Sequence, residues 1–350
     1  MSLIVADIGG TNARLAFQEN INSEICLIEN FLCSEFKSLE DIISAYKKKH
    51  NIINEHISIG VAGPCEDNDV LLSNNHIKFN KIQLLKSLNL KSLLVINDFV
   101  AQSFVFKNLL LEEDEEKYKI LFKKLKLKKI KNGTSKKNST LLVTGPGTGL
   151  GVCNLKKIDN NVIPIPGEGG NAYFSPSNNE QIEILNHLLK YQKYVSVEDL
   201  VSGRGIENLF NFYQNKNKGK NSKIKASEIA DLADKNDRNA ISAINQMYKI
   251  LVVSIINNIF LNGSLAGVII CGGISIKLQK FLNQDVFLNE FKKIDQYFDY
   301  LNDIPIYLCE NESNGLIGAK ECFHNSYFKK TYLIYNKWLI GGCMYQISDE

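Results

Sequence analysis

The sequence predicts an α/β fold, and three observations carry that prediction. Short apolar runs ending in Asp, Asn or Gly recur along the chain, segments with helical apolar spacing lie between them, and glycine clusters follow several of the runs directly. Strands that alternate with helices in this way form α/β layers. The first run, residues 3–6, ends at Asp7 and Gly9-Gly10, and residues 14–17 form a second strand. The two make a hairpin across a turn rich in Gly, Thr and Asn. Residues 38–49 predict a helix with Leu39, Ile42, Ile43 and Tyr46 on one face. Residues 57–62 form a strand stopped by Gly63-Pro64. Residues 93–96 form another, ending in Asn97-Asp98 before an amphipathic helix from Phe99. The second half opens with strand 140–144, the glycine cluster 145–151 and strand 152–155. Ser177-Asn178-Asn179-Glu180 matches a capping box, opening a helix with Ile182, Leu185, Leu188 and Leu189 along it. Residues 237–261 form a long helix, apolar nearly all round toward its end and therefore buried, which Asn262-Gly263 closes. Strand 266–271 then runs into Gly272-Gly273.

At about 150 residues per domain, a chain of 350 residues is expected to form two domains. Apolar residues make up 44% and charged residues 23%, enough to build a full core and to exclude disordered and fibrous classes. Lys plus Arg total 41 against 38 acidic residues, so the net charge of +3 lacks the field of a dedicated nucleic-acid binder. Only Arg14, Arg204 and Arg238 are arginines, and the richness in Lys, Asn and Ile reads as coding bias. The most apolar stretch, 251–261, falls short of the roughly 20 residues of a membrane span and carries Ser254, Asn257 and Asn258. No basic region precedes residue 3, so no signal peptide is expected. The eight Cys include no C-x-x-C pair and read as buried small hydrophobes, which predicts a reducing, cytoplasmic compartment. His50, His56, His187 and His324 read as surface residues, and His76 alone follows a polar cluster, Ser73-Asn74-Asn75. Residues 111–138, acidic and then Lys-rich, predict a solvated, mobile helix–loop insertion whose shortening over 123–137 leaves activity unchanged.

The chemistry is concentrated in three glycine turns. Glycine lets backbone N–H groups approach an anion closely, and successive N–H groups form a concave anion site. The first turn is Asp7-Ile8-Gly9-Gly10-Thr11-Asn12. The second spans 145–151 with Thr148 as hydroxyl donor, and the third is Gly272-Gly273. Singly each reads as an ordinary tight turn; three in one chain, two with Thr beside Gly, point to phosphate. Neither G-x-x-x-x-G-K-[ST] nor a G-x-G-x-x-G after the first strand is present. Asp7 is a carboxylate placed to hold a magnesium ion through water. Among other acids, Asp98 at a strand end is either a functional carboxylate or the cap of the following helix. Glu168 lies among small and rigid residues in Pro166-Gly167-Glu168-Gly169-Gly170-Asn171. Glu198 is a site residue or favours a helix first turn.

In this order the segments 6–16, 96–101, 147–151, 166–170, 195–198 with Ser202-Gly203, 271–273 and 303–307 resemble the bacterial-type glucokinase family of the actin-like sugar kinases. The resemblance runs from Leu3 to about Cys322. It implies two actin-like, ribonuclease H-like α/β domains with an active-site cleft between them. Residues 1–108 with about 312–350 would form the smaller domain, and 109–311 the larger, carrying the insertion. It further implies phosphorylation of glucose at the 6-hydroxyl by ATP with Mg2+, and suggests a homodimer without membrane or nucleic-acid partners. Asp98 would be the base, and Asn74, Asn97, Asp98, Glu168, Asn171 and Glu198 would hold the sugar. Asp7, Gly9, Gly10, Thr11, Asn12, Gly147, Thr148 and Gly149 would hold the phosphates, while Gly272 and Gly273 border the adenosine. Three features depart from the family: Asn171 stands where His is usual, 111–138 is long, and the tail 327–350, with Trp338 and Gly341-Gly342, has no counterpart. The competing readings are a kinase of another hexose or an N-acetylated amino sugar, whose relatives carry a zinc-binding Cys cluster, and a non-catalytic sugar sensor.

Overall fold

In the computed structural model, which describes residues 1–72, 75–218 and 224–336, the chain folds as two compact units. One comprises Met1–Val105 and the chain from Ser313 onward; the other is Phe106–Glu312. Asn74, Trp338, Gly341 and Gly342 lie outside the described residues.

The first unit is organised by a strand that is buried along its whole length, β1 (Leu3–Ile8). It is followed by β2 (Asn12–Gln18), β3 (Cys26–Leu32), β4 (His56–Val61), a small hairpin of β5 (Asp69–Leu71) and β6 (Lys78–Asn80), and β7 (Ser92–Asn97). The sheet order is Leu333–Tyr335, β7, β4, β1, β2, β3. Its centre, β7-β4-β1, is parallel and covered, which is why those strands read as continuous apolar runs. β1 extends past the expected boundary through Asp7 and Ile8, which stand opposite Arg14 and Ala13 on β2. The helix Leu39–His50 buries Leu39, Ile42, Ile43 and Tyr46 as its spacing predicts, and Ser38 caps it by accepting from the Asp41 N–H. Helix Asn314–His324 packs on helix Asp98–Phe104 and on β1 and β4.

The second unit holds β8 (Leu127–Lys131), β9 (Thr140–Pro146), β10 (Leu150–Ile158), β11 (Asn161–Gly167), β12 (Gly267–Ile270) and β13 (Ile306–Cys309). They form one sheet in the order β11-β10-β9-β12-β13-β8. The helix Arg238–Asn262 starts at an Asp237 cap and ends at Gly263 in the left-handed region, φ 60°. By length and composition alone it could cross a membrane. Here Ala243, Ile244, Met247, Leu251 and Ile259 are completely buried in the core of the unit.

Several sequence expectations are corrected. The cap expected at Ser177 is Asn178, which accepts from the Gln181 N–H, while Ser177 bonds the Gln181 side chain. That arrangement turns Gln181, Ile184 and Leu188 inward and leaves Ile182 and Leu189 exposed. The four histidines read as surface residues are half-buried and engaged. His50 pairs with Glu29, His56 Nδ1 lies 2.8 Å from Ser92 Oγ, His187 meets the Phe212 ring, and His324 donates to Gln18 Oε1. Six described cysteines are buried and Cys26 is exposed.

Residues 111–138 are largely exposed, with Leu125 and Lys131 the buried positions among them, but they are not a helix followed by a loop. They form helix Glu115–Lys124 and the edge strand β8, paired antiparallel to β13. Beyond β8 the Thr134 N–H donates to Asp303 O, the Lys136 N–H to Leu265 O, and Ser135 Oγ to Ala266 O. Lys131 is 2% exposed, and its ammonium donates to the carbonyls of Asn132, Asn302 and Ile304. Shortening it over 123–137 would remove a strand and a buried clamp, so a loss of stability is expected.

Burial pushes the Lys131 ammonium down from its ordinary 10.5 to about 8, against the opposing pull of Asp303. Lys131→Met should lower stability by about 1–3 kcal/mol at neutral pH, because three carbonyls lose their donor. Between about pH 8 and 10.5 the unfolded chain binds more protons at this position than the folded one, so stability rises with pH. The advantage of the native protein over Lys131→Met should therefore grow across that window, as read by urea unfolding at fixed pH values.

Candidate active site

Within the first unit, the carboxyl ends of the parallel strands gather the candidate groups, as is usual for ligand sites in α/β sheets. The turn after β1 is closed by the Gly9 N–H donating to Asn12 O at 2.9 Å. Asn75 pins it from outside: its Nδ2 donates to Gly9 O at 3.0 Å while its Oδ1 accepts from the Ile77 N–H. Thr11 and Asn12 are exposed at the tip, and the Thr11 carbonyl accepts from the Cys33 N–H. Asp7 is buried and bonded to Arg14 at 3.0 Å. Burial pushes the Asp7 carboxyl above the usual range, and the Arg14 guanidinium opposes that shift. The carboxylate lies over Gly315, in the first turn of helix Asn314–His324, where a Cβ would overlap it. A helix N-terminus favours a carboxylate placed there.

Parallel register puts Asp7, Gly60 and Ile96 in one row and Ile8, Val61 and Asn97 in the next. Asp7 and the pair Asn97-Asp98 therefore emerge two strands apart, on the order of 10 Å. Asn97 caps helix Asp98–Phe104, its Oδ1 accepting from the N–H groups of Phe99 (2.9 Å) and Val100 (3.1 Å). Its Nδ2 reaches Gly63 O at 3.4 Å. The amide oxygen expected for sugar is thus committed to the helix. Asp98 is half-buried at the start of the helix, and the bare Cα of Gly60 lets it sit close on the sheet. Asp98 is not the cap.

In the second unit the β9–β10 hairpin tip is closed by the Gly147 N–H donating to Gly149 O at 2.7 Å, with Thr148 exposed. Gly147 O accepts from the Gly203 N–H at 3.0 Å. Gly272, at φ 94°, lies so close to the end of β9 that a Cβ would stand 2.5 Å from Pro146 O. Gly273 begins the short helix Gly273–Lys277. The two glycine turns of this unit therefore touch.

Glu198 is joined to the same tip. Its Oε2 accepts from the Leu150 N–H at 2.9 Å, and a Cβ on Gly149 would overlap the carboxylate. It lies in a turn before helix Gly203–Lys218 and not in the helix first turn. Its own N–H donates to Gly170 O at 2.8 Å, which brings in the Glu168 loop. Glu168 and Asn171 are exposed, with Asn171 Nδ2 donating to Glu168 Oε2 at 3.2 Å. Sequence reasoning missed Arg14, Asn75, Gly315, Asp199 and Arg204. Only Arg14, directly opposite Asp7 in a hairpin with a short turn, left a signal that register counting could have found. Among the described residues no group of three His, Cys, Asp or Glu side chains gathers as a metal site.

Two α/β units with glycine turns at strand ends fit the actin-like fold, to which sugar kinases belong. The solved glucokinase from an Antarctic psychrotroph superposes with a TM-score of 0.74 at 28% identity, covering 93% of this chain and 99% of that one. A glucokinase from Balamuthia mandrillaris shares the fold at a TM-score of 0.69 and 18% identity, over 91% of this chain and 92% of that one. The glucokinase of Yersinia enterocolitica is 31% identical over 318 residues, spanning 90% of this chain and 94% of the relative. That of Colwellia psychrerythraea is 32% identical over 324 residues, spanning 90% and 94%. The glucokinase family model matches residues 4–326, and the chain belongs to that family.

Gly272→Ala should cost about 1–3 kcal/mol, since it combines an unfavourable positive φ with a backbone overlap at Pro146. A lowered urea midpoint at unchanged m value checks this.

Proposed function

We propose that the protein transfers the γ-phosphoryl group of ATP to the 6-hydroxyl of glucose, with Asp98 as general base. The observation that carries the role of Asp98 is the cap geometry: Asn97 supplies both acceptor bonds of the helix start, which removes capping as the reason for a carboxylate at 98. Membership of the glucokinase family supports the reaction. Phosphoryl transfer needs in-line positioning and charge neutralisation more than covalent help. Asp98 would accept the hydroxyl proton as the oxygen attacks. Glu168, Glu198 and Asn171 would take the remaining sugar hydroxyls, with Asn97 limited to donation through Nδ2 and Asn74 as a further ligand. Gly9 to Asn12 and Gly147 to Gly149 would receive the phosphates through main-chain N–H groups, and Gly272 and Gly273 would border the adenosine. Asp7 fits an outer-sphere role toward Mg2+: it is one buried carboxylate beside the first turn, already bonded to Arg14, so water would stand between it and the ion. When bound, Mg2+ supplies charge neutralisation on the transferred group. A homodimer in the cytoplasm completes the reading. Turnover with ATP and a panel of hexoses that includes 2-acetamido sugars tests it, and preference for an acetamido sugar would overturn it.

Asp98→Asn should lower kcat by about 10²–10⁴ while calorimetry still detects weakened glucose binding, because the amide keeps a hydrogen-bonding group. A variant retaining a tenth of native kcat would exclude Asp98 as the base.

Asn171→His tests the departure beside Glu168. One neutral hydrogen bond contributes about 0.5–1.5 kcal/mol, so the imidazole should lower glucose KM roughly two- to tenfold and leave kcat nearly unchanged. Steady-state kinetics at saturating ATP would read both constants.

A further inference from the structure

Arg204 and Asp199 stand beside Glu198 and have no part in the mechanism above. Asp199 is firmly held: its Oδ2 accepts from the Ser196 N–H (2.9 Å), Ser196 Oγ (2.9 Å) and Gln192 Nε2 (3.1 Å). Asn208 Nδ2 also donates to its carbonyl, at 2.9 Å. Its other oxygen takes Arg204 Nη2 at 3.0 Å, and the same nitrogen lies 3.7 Å from Glu198 Oε1. Both are ion pairs, and the one to Asp199 is the closer. Asp199 therefore holds the guanidinium, and Glu198 feels its positive charge in a looser ion pair with no hydrogen bond between them. With Oε2 on the Leu150 N–H, the Glu198 carboxylate has one oxygen fixed to the hairpin and one facing the cation.

We propose that Arg204 is a positioning residue, anchored by Asp199, that keeps the Glu198 carboxylate in one rotamer with Oε1 offered to substrate. The inference rests on the reading of Glu198 as a sugar ligand. A sugar hydroxyl can donate to Oε1 without first breaking a hydrogen bond, while the neighbouring cation stabilises the acceptor charge. A direct Arg204–Glu198 bond would oblige the sugar to displace it.

The test compares Arg204→Met, Arg204→Lys and Glu198→Gln by steady-state kinetics, with thermal unfolding of each variant. For a half-exposed charge pair, Arg204→Met should raise glucose KM about three- to fivefold, with kcat and ATP KM within about twofold of native. Arg204→Lys keeps the charge and should recover most of the loss. If Arg204→Met does not fold, Arg204→Gln is read in the same way. A raised glucose KM in Glu198→Gln with none in Arg204→Met overturns the role of Arg204 alone. An unchanged KM in Glu198→Gln overturns the sugar-ligand reading itself. Lys performing as poorly as Met at equal unfolding temperature, or ATP KM rising as much as glucose KM, excludes charge-based positioning of Glu198.

Discussion

A carboxylate removed from bulk water needs donors, and in residues 106–312 Glu198 finds one in the Leu150 main chain. That single bond fixes much else. Leu150 opens β10, so the carboxylate is attached to the glycine hairpin itself. Gly149 must lack a side chain to let it in, and the Glu198 N–H ties the Glu168 loop to the same point through Gly170. The glycine at 272 follows from the same crowding, because the end of β9 is already pressed against the turn after β12. Groups far apart in sequence are thus held by main-chain contacts, which have few alternative conformations.

The other unit solves the same problem with opposite charges. Asp7 is buried too, but its donor is the Arg14 guanidinium one strand away, and a helix start lies against it at Gly315. Its carboxyl is still raised, so burial outweighs the pair. Asp98, by contrast, stays half-buried next to a cap that Asn97 alone completes. The division of labour between 97 and 98 separates holding the helix from presenting a carboxylate.

The sequence made the glycine turns and acids at strand ends legible because each depends on a local property: small size, a strand ending, a polar residue after apolar ones. Arg204 was not legible, because nothing in the spacing of 198, 199 and 204 says that a turn folds back onto the helix start. Within the largely exposed residues 111–138, Lys131 escaped notice for a different reason. Charge runs predict solvation, yet one ammonium can be buried where three carbonyls converge, and those of Asn302 and Ile304 lie far along the chain. The helix face at 179–188 misled because Ser177 satisfies the amide oxygen of Gln181 and lets a polar residue take an inward position. The fold class needed none of these long-range facts; the site did.

The placement of β8 against β13 has a consequence for how the molecule comes into being. The second unit closes its sheet edge only when residues 306–309 exist to receive 127–131. The first unit, begun at residue 3, lacks the helix Asn314–His324 on its central strands until later still. Neither half can finish during most of synthesis. A ribosome adding about 5–20 residues per second leaves both sheets incomplete for roughly 15–60 s. Such non-local pairing also slows folding afterwards. The chain order therefore leaves unpaired strand edges exposed through most of translation.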